Sequence, residues 1–214
     1  MVRSLAALSG ILGVLLFIAA TIIGGLQSPE YSHVRQYISE TYATGTPWGE
    51  ALRYYGFIPS GFLIALFALF AMRSLPGSRQ ATIGFLGLGL FYGSGTVVCS
   101  VFICDAGCGR DLTSVSESQL IHNAMGLLTY VTVPPCLLLL GVAARGWPNG
   151  HGVSRAGSIL GGIALMFVGL FLFAPGSPYA GLVQRVIEGA VLAWILVCAF
   201  HLRPTGRRRS AEAN

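Results

Sequence analysis

The sequence predicts an all-α integral membrane protein. The expected architecture is a six-helix bundle with both termini cytoplasmic and a short interfacial helix in the first extracytoplasmic loop. Three observations carry this reading. First, the 214 residues are 54% hydrophobic and only 10% charged, too little polar surface to coat a soluble globule of that size. Second, six apolar runs, at residues 5–26, 52–72, 82–104, 120–143, 156–174 and 180–202, are each long enough to cross a hydrocarbon core of ~30 Å at ~1.5 Å per residue. They show no alternation of period two, and lipid demands that backbone polar groups pair internally, so they read as helices. Third, Arg3, Arg73, Arg79, Arg145, Arg155, Arg203 and Arg207 to Arg209 alternate along the chain with Glu30, Glu40, Glu50, Asp105, Asp111 and Glu117. The positive-inside rule then puts both termini in the cytoplasm. The net charge of +5 reports that orientation, and no nucleic-acid partner is expected for the Arg207–Arg209 tail.

Taken in order, the first run follows Arg3, is longer than a signal-peptide core and lacks a small-x-small site before Gln27, so it is expected to stay as a helix. The first outer loop, residues 27–51, opens with Ser28-Pro29-Glu30, a side-chain cap followed by proline at the first helical position. A helix over 29–42 would put His33, Gln36, Tyr37 and Glu40 on one face and Val34, Ile38 and Tyr42 on another. Gly45-Thr46-Pro47 ends it, and Trp48, Tyr54 and Tyr55 suit the headgroup level, so the loop reads as a lid. The third run carries Gly84, Gly87, Gly89, Gly93 and Gly95, with the Gly89-x-x-x-Gly93 spacing that lets helices approach closely. Pro134-Pro135 is expected to kink the fourth. Pro76-Gly77 and Pro148-Asn149-Gly150 are turns on the cytoplasmic side, and residues 175–179 form a minimal outer turn. One membrane domain, residues 1–204, precedes a basic cytoplasmic tail, 205–214, expected to be disordered. Cys99, Cys136 and Cys198 fall within spans as packing residues, whereas Cys104 and Cys108 bracket an outer loop and are candidates for a disulfide.

The run Tyr31-Ser32-His33-Val34-Arg35-Gln36-Tyr37-Ile38-Ser39-Glu40, the entry Gly56-Phe57-Ile58-Pro59-Ser60-Gly61, the segment Asp105 to Cys108 and His122 resemble the prokaryotic six-span family known as domain of unknown function 998. The chain departs from its pattern at Thr41-Tyr42, where Leu-Gly is usual. The resemblance implies a compact six-helix protein of a prokaryotic cytoplasmic membrane and no particular activity. The Ile38-Ser39-Glu40 element is also similar to one in the eukaryotic six-span family that includes the damage-regulated autophagy modulators, which suggests lipid-related work by analogy.

Ionisable and polar groups collect at the outer face: His33, Arg35, Ser39 and Glu40 in the first loop, Asp105, His122, and Gln184, Arg185 and Glu188 in the last span. Arg185 and Glu188 lie below the boundary, where an unpaired charge costs a few kcal/mol, so they must be paired or wet. One account is an Arg185–Glu188 pair locking the loop onto the bundle. The other is a polar cavity for a membrane lipid headgroup or another small amphiphile. There Arg35 and Arg185 hold an anionic group, Ser39, Gln184 and Glu188 add contacts, and Asp105 and His122 act as acid and base supported by His33 and Glu40. A zinc hydrolase would use His33, Asp105 and His122 as ligands, as alkaline ceramidases do with an intramembrane set, but their paired-histidine motif and seventh span are lacking. A serine nucleophile, Ser39 or Ser60 with His33 and Asp105, has no Gly-x-Ser-x-Gly elbow. Transport of a small solute and a role in membrane assembly are the remaining classes.

Overall fold

The computed structural model describes residues 1–109, 115–174 and 176–203. Asp111, Pro175 and the tail with Arg207 to Arg209 lie outside the described residues. Six helices are long and apolar enough to cross a membrane: α1 Val2–Leu26, α2 Gly49–Ser74, α3 Arg79–Val101, α4 Glu117–Gly146, α5 His151–Phe173 and α6 Ala180–His201. Among the described residues there is no strand. Their ends follow local chemistry: the Ser78 hydroxyl accepts from Ala81 N and starts α3, Ser116 does the same for α4 through Gln119 N, and Asn149 turns the chain at φ 57° before α5.

Each helix packs on its neighbours in sequence, and α6 closes back onto α1, giving a ring. The registers are antiparallel. Gly10 faces Phe67 while Gly24 faces Leu52, and Gly93 of α3 lies on Ala65 while Gly89 lies on Ala68. The small-residue spacing in α3 is therefore used for close packing on α2. The ring encloses Trp194, Tyr92, Phe57, Phe67, Phe85 and Leu137, all buried. α4 runs through Pro134 and Pro135 as one helix. Two spans contain π-helical segments, Arg53–Phe57 in α2 and Leu88–Gly93 in α3. One extra residue per turn re-aims a side chain, and such segments cluster at functional sites; here they carry Phe57 and Tyr92.

The interfacial helix expected over 29–42 contracts to a single 3-10 turn, Ser39–Tyr42. Side chains have captured the backbone groups that a helix would pair. Ser32 N donates to Gln36 Oε1 at 2.8 Å, Tyr37 N to Glu40 Oε1 at 2.7 Å, and Ile38 N to Gln184 Oε1 at 2.7 Å. The carbonyl of Val34 accepts from Leu182 N of α6 at 2.9 Å. The loop is an irregular strap held by α6.

Candidate functional site

Beneath that strap lies a cavity of about 310 Å³. Its wall is largely aromatic: Phe17, Tyr42, Phe57, Tyr92, Tyr130 and Phe171. Tyr42 and Phe57 stand 4.7 Å apart between ring centroids, Phe17 and Phe57 5.3 Å, and Tyr130 and Phe171 5.3 Å. The polar cavity expected from the sequence is thus an apolar one with a few placed polar groups, notably Ser39, His122, Asn123, Gln184 and Glu188. That composition is usual for a small-molecule site.

Glu188, 8% exposed, accepts hydrogen bonds on both carboxylate oxygens: Tyr92 Oη donates to Oε2 at 2.6 Å and Tyr130 Oη to Oε1 at 2.8 Å. Gln184 Nε2 donates in turn to Tyr130 Oη at 2.9 Å. His122 Nδ1 lies 2.9 Å from the carbonyl oxygens of both Cys99 and Phe102. Carbonyls only accept, so Nδ1 carries the proton and Nε2 keeps a lone pair in the neutral ring.

The remaining expected site residues lie at the same end of the bundle but are not part of this constellation. Arg185 does not pair with Glu188. Its Nη1 donates to the carbonyls of His33, Gln36 and Gly181 at 2.7, 2.8 and 3.0 Å, and its Nη2 to Tyr31 Oη at 2.6 Å. It is a clamp on the strap, because three carbonyls and a phenol together solvate a guanidinium. Arg35 is exposed on the strap, away from the cavity lining. His33, also exposed, packs edge-on against Tyr31 at 5.1 Å. Asp105 is not bonded to His122; its Oδ2 accepts from Ser116 N at 2.9 Å, just before α4. Glu40 spends its carboxylate on Tyr37 N and Gln36 Nε2.

Two of the chemistries weighed above therefore lack their residues in place. Among the described residues no three His, Cys, Asp or Glu side chains come close enough to hold a metal, so His33, Asp105 and His122 do not form the zinc set. Ser39 Oγ lies 3.4 Å from Cys108 Sγ instead of beside a histidine, and Ser60 Oγ donates to Gly13 O at 2.8 Å, joining α2 to α1. Cys104 and Cys108 are joined as a disulfide, and Thr44 N donates to Cys104 O at 3.0 Å, linking the strap to the second loop. The same environments shift the loop groups. Hydrogen bonding from the Ser116 backbone, then from its side chain, holds the Asp105 carboxyl below the usual range. Burial raises Glu40 and Tyr31 against the opposing Arg185 charge, and burial followed by Arg185 pushes His33 down.

Residues 11–201, from within α1 to the last residue of α6, match the family described as "protein of unknown function (DUF998)". The chain belongs to this family. No curated protein and no solved structure matches it. In this DUF998 protein, Tyr92 and Tyr130 were the site residues that sequence reasoning missed. A signal existed: a phenol inside an apolar span needs a partner, and Glu188 is the one acid inside the six apolar runs of the sequence.

Proposed function

We propose that the protein holds a small amphiphile, taken from the bilayer between α4 and α5, in the cavity under the strap. The observation that carries this is the cavity's lateral reach. Leu127 of α4 and Leu172 of α5 line it, yet are 49% and 42% exposed on the perimeter of the bundle. In a membrane that perimeter faces acyl chains, so an apolar ligand enters without crossing water. The arginines at 73, 79, 145 and 155 sit at the helix ends away from the strap, which supports an extracytoplasmic cavity with a lipid or lipid-like occupant. Binding is favoured over chemistry because, among the described residues, Asp105 is engaged with Ser116 and Ser39 Oγ lies against Cys108, so neither joins His122 in an acid–base or nucleophile pair.

Gly126 tests the reading. It lines the cavity on α4, and a Cβ there would meet nothing within 4 Å, so a large side chain can occupy the entrance without displacing backbone. Native mass spectrometry of protein released from nanodiscs should show an amphiphile retained by the wild type. Occupancy should fall about tenfold in Gly126→Trp at unchanged melting temperature. Equal occupancy in the two, or no retained amphiphile in the wild type, would overturn the proposal.

A further inference from the structure

We infer that the polar end of the occupant is a hydroxyl, which donates a hydrogen bond to His122 Nε2. This rests on the cavity reading above and adds the chemical class of the ligand, a neutral amphiphile with an alcohol head.

The histidine is set by the end of α3. A helix leaves its last carbonyls without intrahelical donors, and α3 ends at Val101, with Phe102 extended. His122 Nδ1 lies 2.9 Å from two oxygens there, those of Cys99 and Phe102. Carbonyls cannot donate, so the ring proton sits on Nδ1 and is consumed by this contact. A second bond joins the same elements in the other direction, from Cys99 Sγ to His122 O at 3.6 Å. Tautomer and ring orientation are therefore fixed by α3. The opposite ring edge, with the Nε2 lone pair, is left for the cavity that His122 lines.

A lone pair asks for a donor. An ether or ester oxygen only accepts and gains nothing at Nε2, whereas an alcohol has a proton to give. Tyr92 and Tyr130 give their own protons to Glu188, at 2.6 and 2.8 Å, so an accepting head finds no donor in these two phenols either. The route of entry selects against a charged head. Leu127 and Leu172 border the cavity from the perimeter of the bundle, and carrying an ion past them strips its hydration at far greater cost than for a hydroxyl. The hydroxyl's own loss is made good by the one bond to Nε2.

The test compares two isomers, octan-1-ol and methyl heptyl ether, by saturable binding of the radiolabelled compounds to nanodisc-embedded protein at neutral pH, with empty nanodiscs as background. Octanol is expected to bind at least about tenfold more tightly than the ether. His122→Asn keeps an amide nitrogen near the position of Nδ1, and so the tether to α3, but deletes Nε2; there the preference should vanish while the ether still binds. In the wild type, octanol should also move the nitrogen-15 resonance of His122 Nε2, and the ether should not. Equal binding of the isomers, a preference that survives His122→Asn, or an Nε2 resonance indifferent to octanol would overturn the hydroxyl assignment and leave the cavity reading standing. No saturable binding of either isomer, or binding unaffected by Gly126→Trp, would overturn the cavity reading itself. Should His122→Asn fail to fold, the wild-type Nε2 resonance decides the assignment.

Discussion

Gly181→Val is expected to lift the loop between α1 and α2 off α6, and Arg185→Ala to release it by removing the clamp. In both variants amide exchange should rise across residues 31–38 while the six spans stay folded. A Cβ on Gly181 would run into the carbonyl oxygen of Gln36 and lie 2.8 Å from both Gln36 N and His33 O. Those are backbone atoms, so no rotamer change relieves the clash and the loop must move. Arg185 holds the same two residues, taking the carbonyls of His33 and Gln36 on one nitrogen and Tyr31 Oη on the other. Hydrogen bonds to a charged group contribute about 1.5–3 kcal/mol each, and sharing and partial exposure reduce the sum. The free energy of local opening should fall by about 2–4 kcal/mol, or roughly two orders of magnitude in exchange rate. Hydrogen exchange read by mass spectrometry checks this. Arg185→Lys should not restore protection, because an ammonium lacks the planar fork that reaches carbonyls and a phenol at once. Unchanged protection of 31–38 in all three variants would show that the loop is not held here.

The failed helix at 29–42 and the successful spans have one explanation. A span is dictated by its own residues, since lipid leaves the backbone no alternative partner, and the six runs appear within a few residues of their expected ends. The loop has water and neighbours to choose from. Ser28-Pro29-Glu30 is a genuine start signal, but Gln184 and Arg185, which redirect Ile38, His33 and Gln36, lie about 150 positions away in sequence and were not visible to local reasoning. The candidate site divides along the same line. Ser39, His122, Gln184 and Glu188 were named from their polarity near a boundary and do line the cavity. His33, Arg35, Asp105 and Arg185 satisfy the same criterion but hold loops or face outward, because proximity to one membrane face fixes depth and not direction. Phe57 and Tyr92 were not expected in the cavity wall for a different reason: π-helical segments leave hydrophobic periodicity almost unchanged while rotating the side chains that follow.

The other large effect is expected at the crossing of α4 and α5, where Gly157→Leu should abolish recovery of folded protein and Gly157→Ala should lower its melting temperature. A Cβ on Gly157 would lie 2.7 Å from Gly141 Cα, 2.9 Å from Gly141 N and 3.0 Å from Leu137 O. Here backbone rests on backbone, so even a methyl must push the helices apart, at about 1–3 kcal/mol for overpacking, and an isobutyl group costs more. Gly162, five residues on, has nothing within 4 Å of its Cβ position. Gly162→Ala is therefore the control: it adds the same methyl to the same helix and should leave the melting temperature in detergent unchanged or slightly higher. A Gly157→Leu protein that melts like the wild type would show that the crossing does not need this contact. The pair also bears on the cavity. α4 and α5 touch at Gly141 and Gly157 but enclose open space where Leu127 and Leu172 line the entrance. The close crossing fixes the spacing of the two helices on which these lining leucines stand. Gly157→Ala should accordingly lose retained amphiphile even under conditions where it remains folded, whereas Gly162→Ala should keep it.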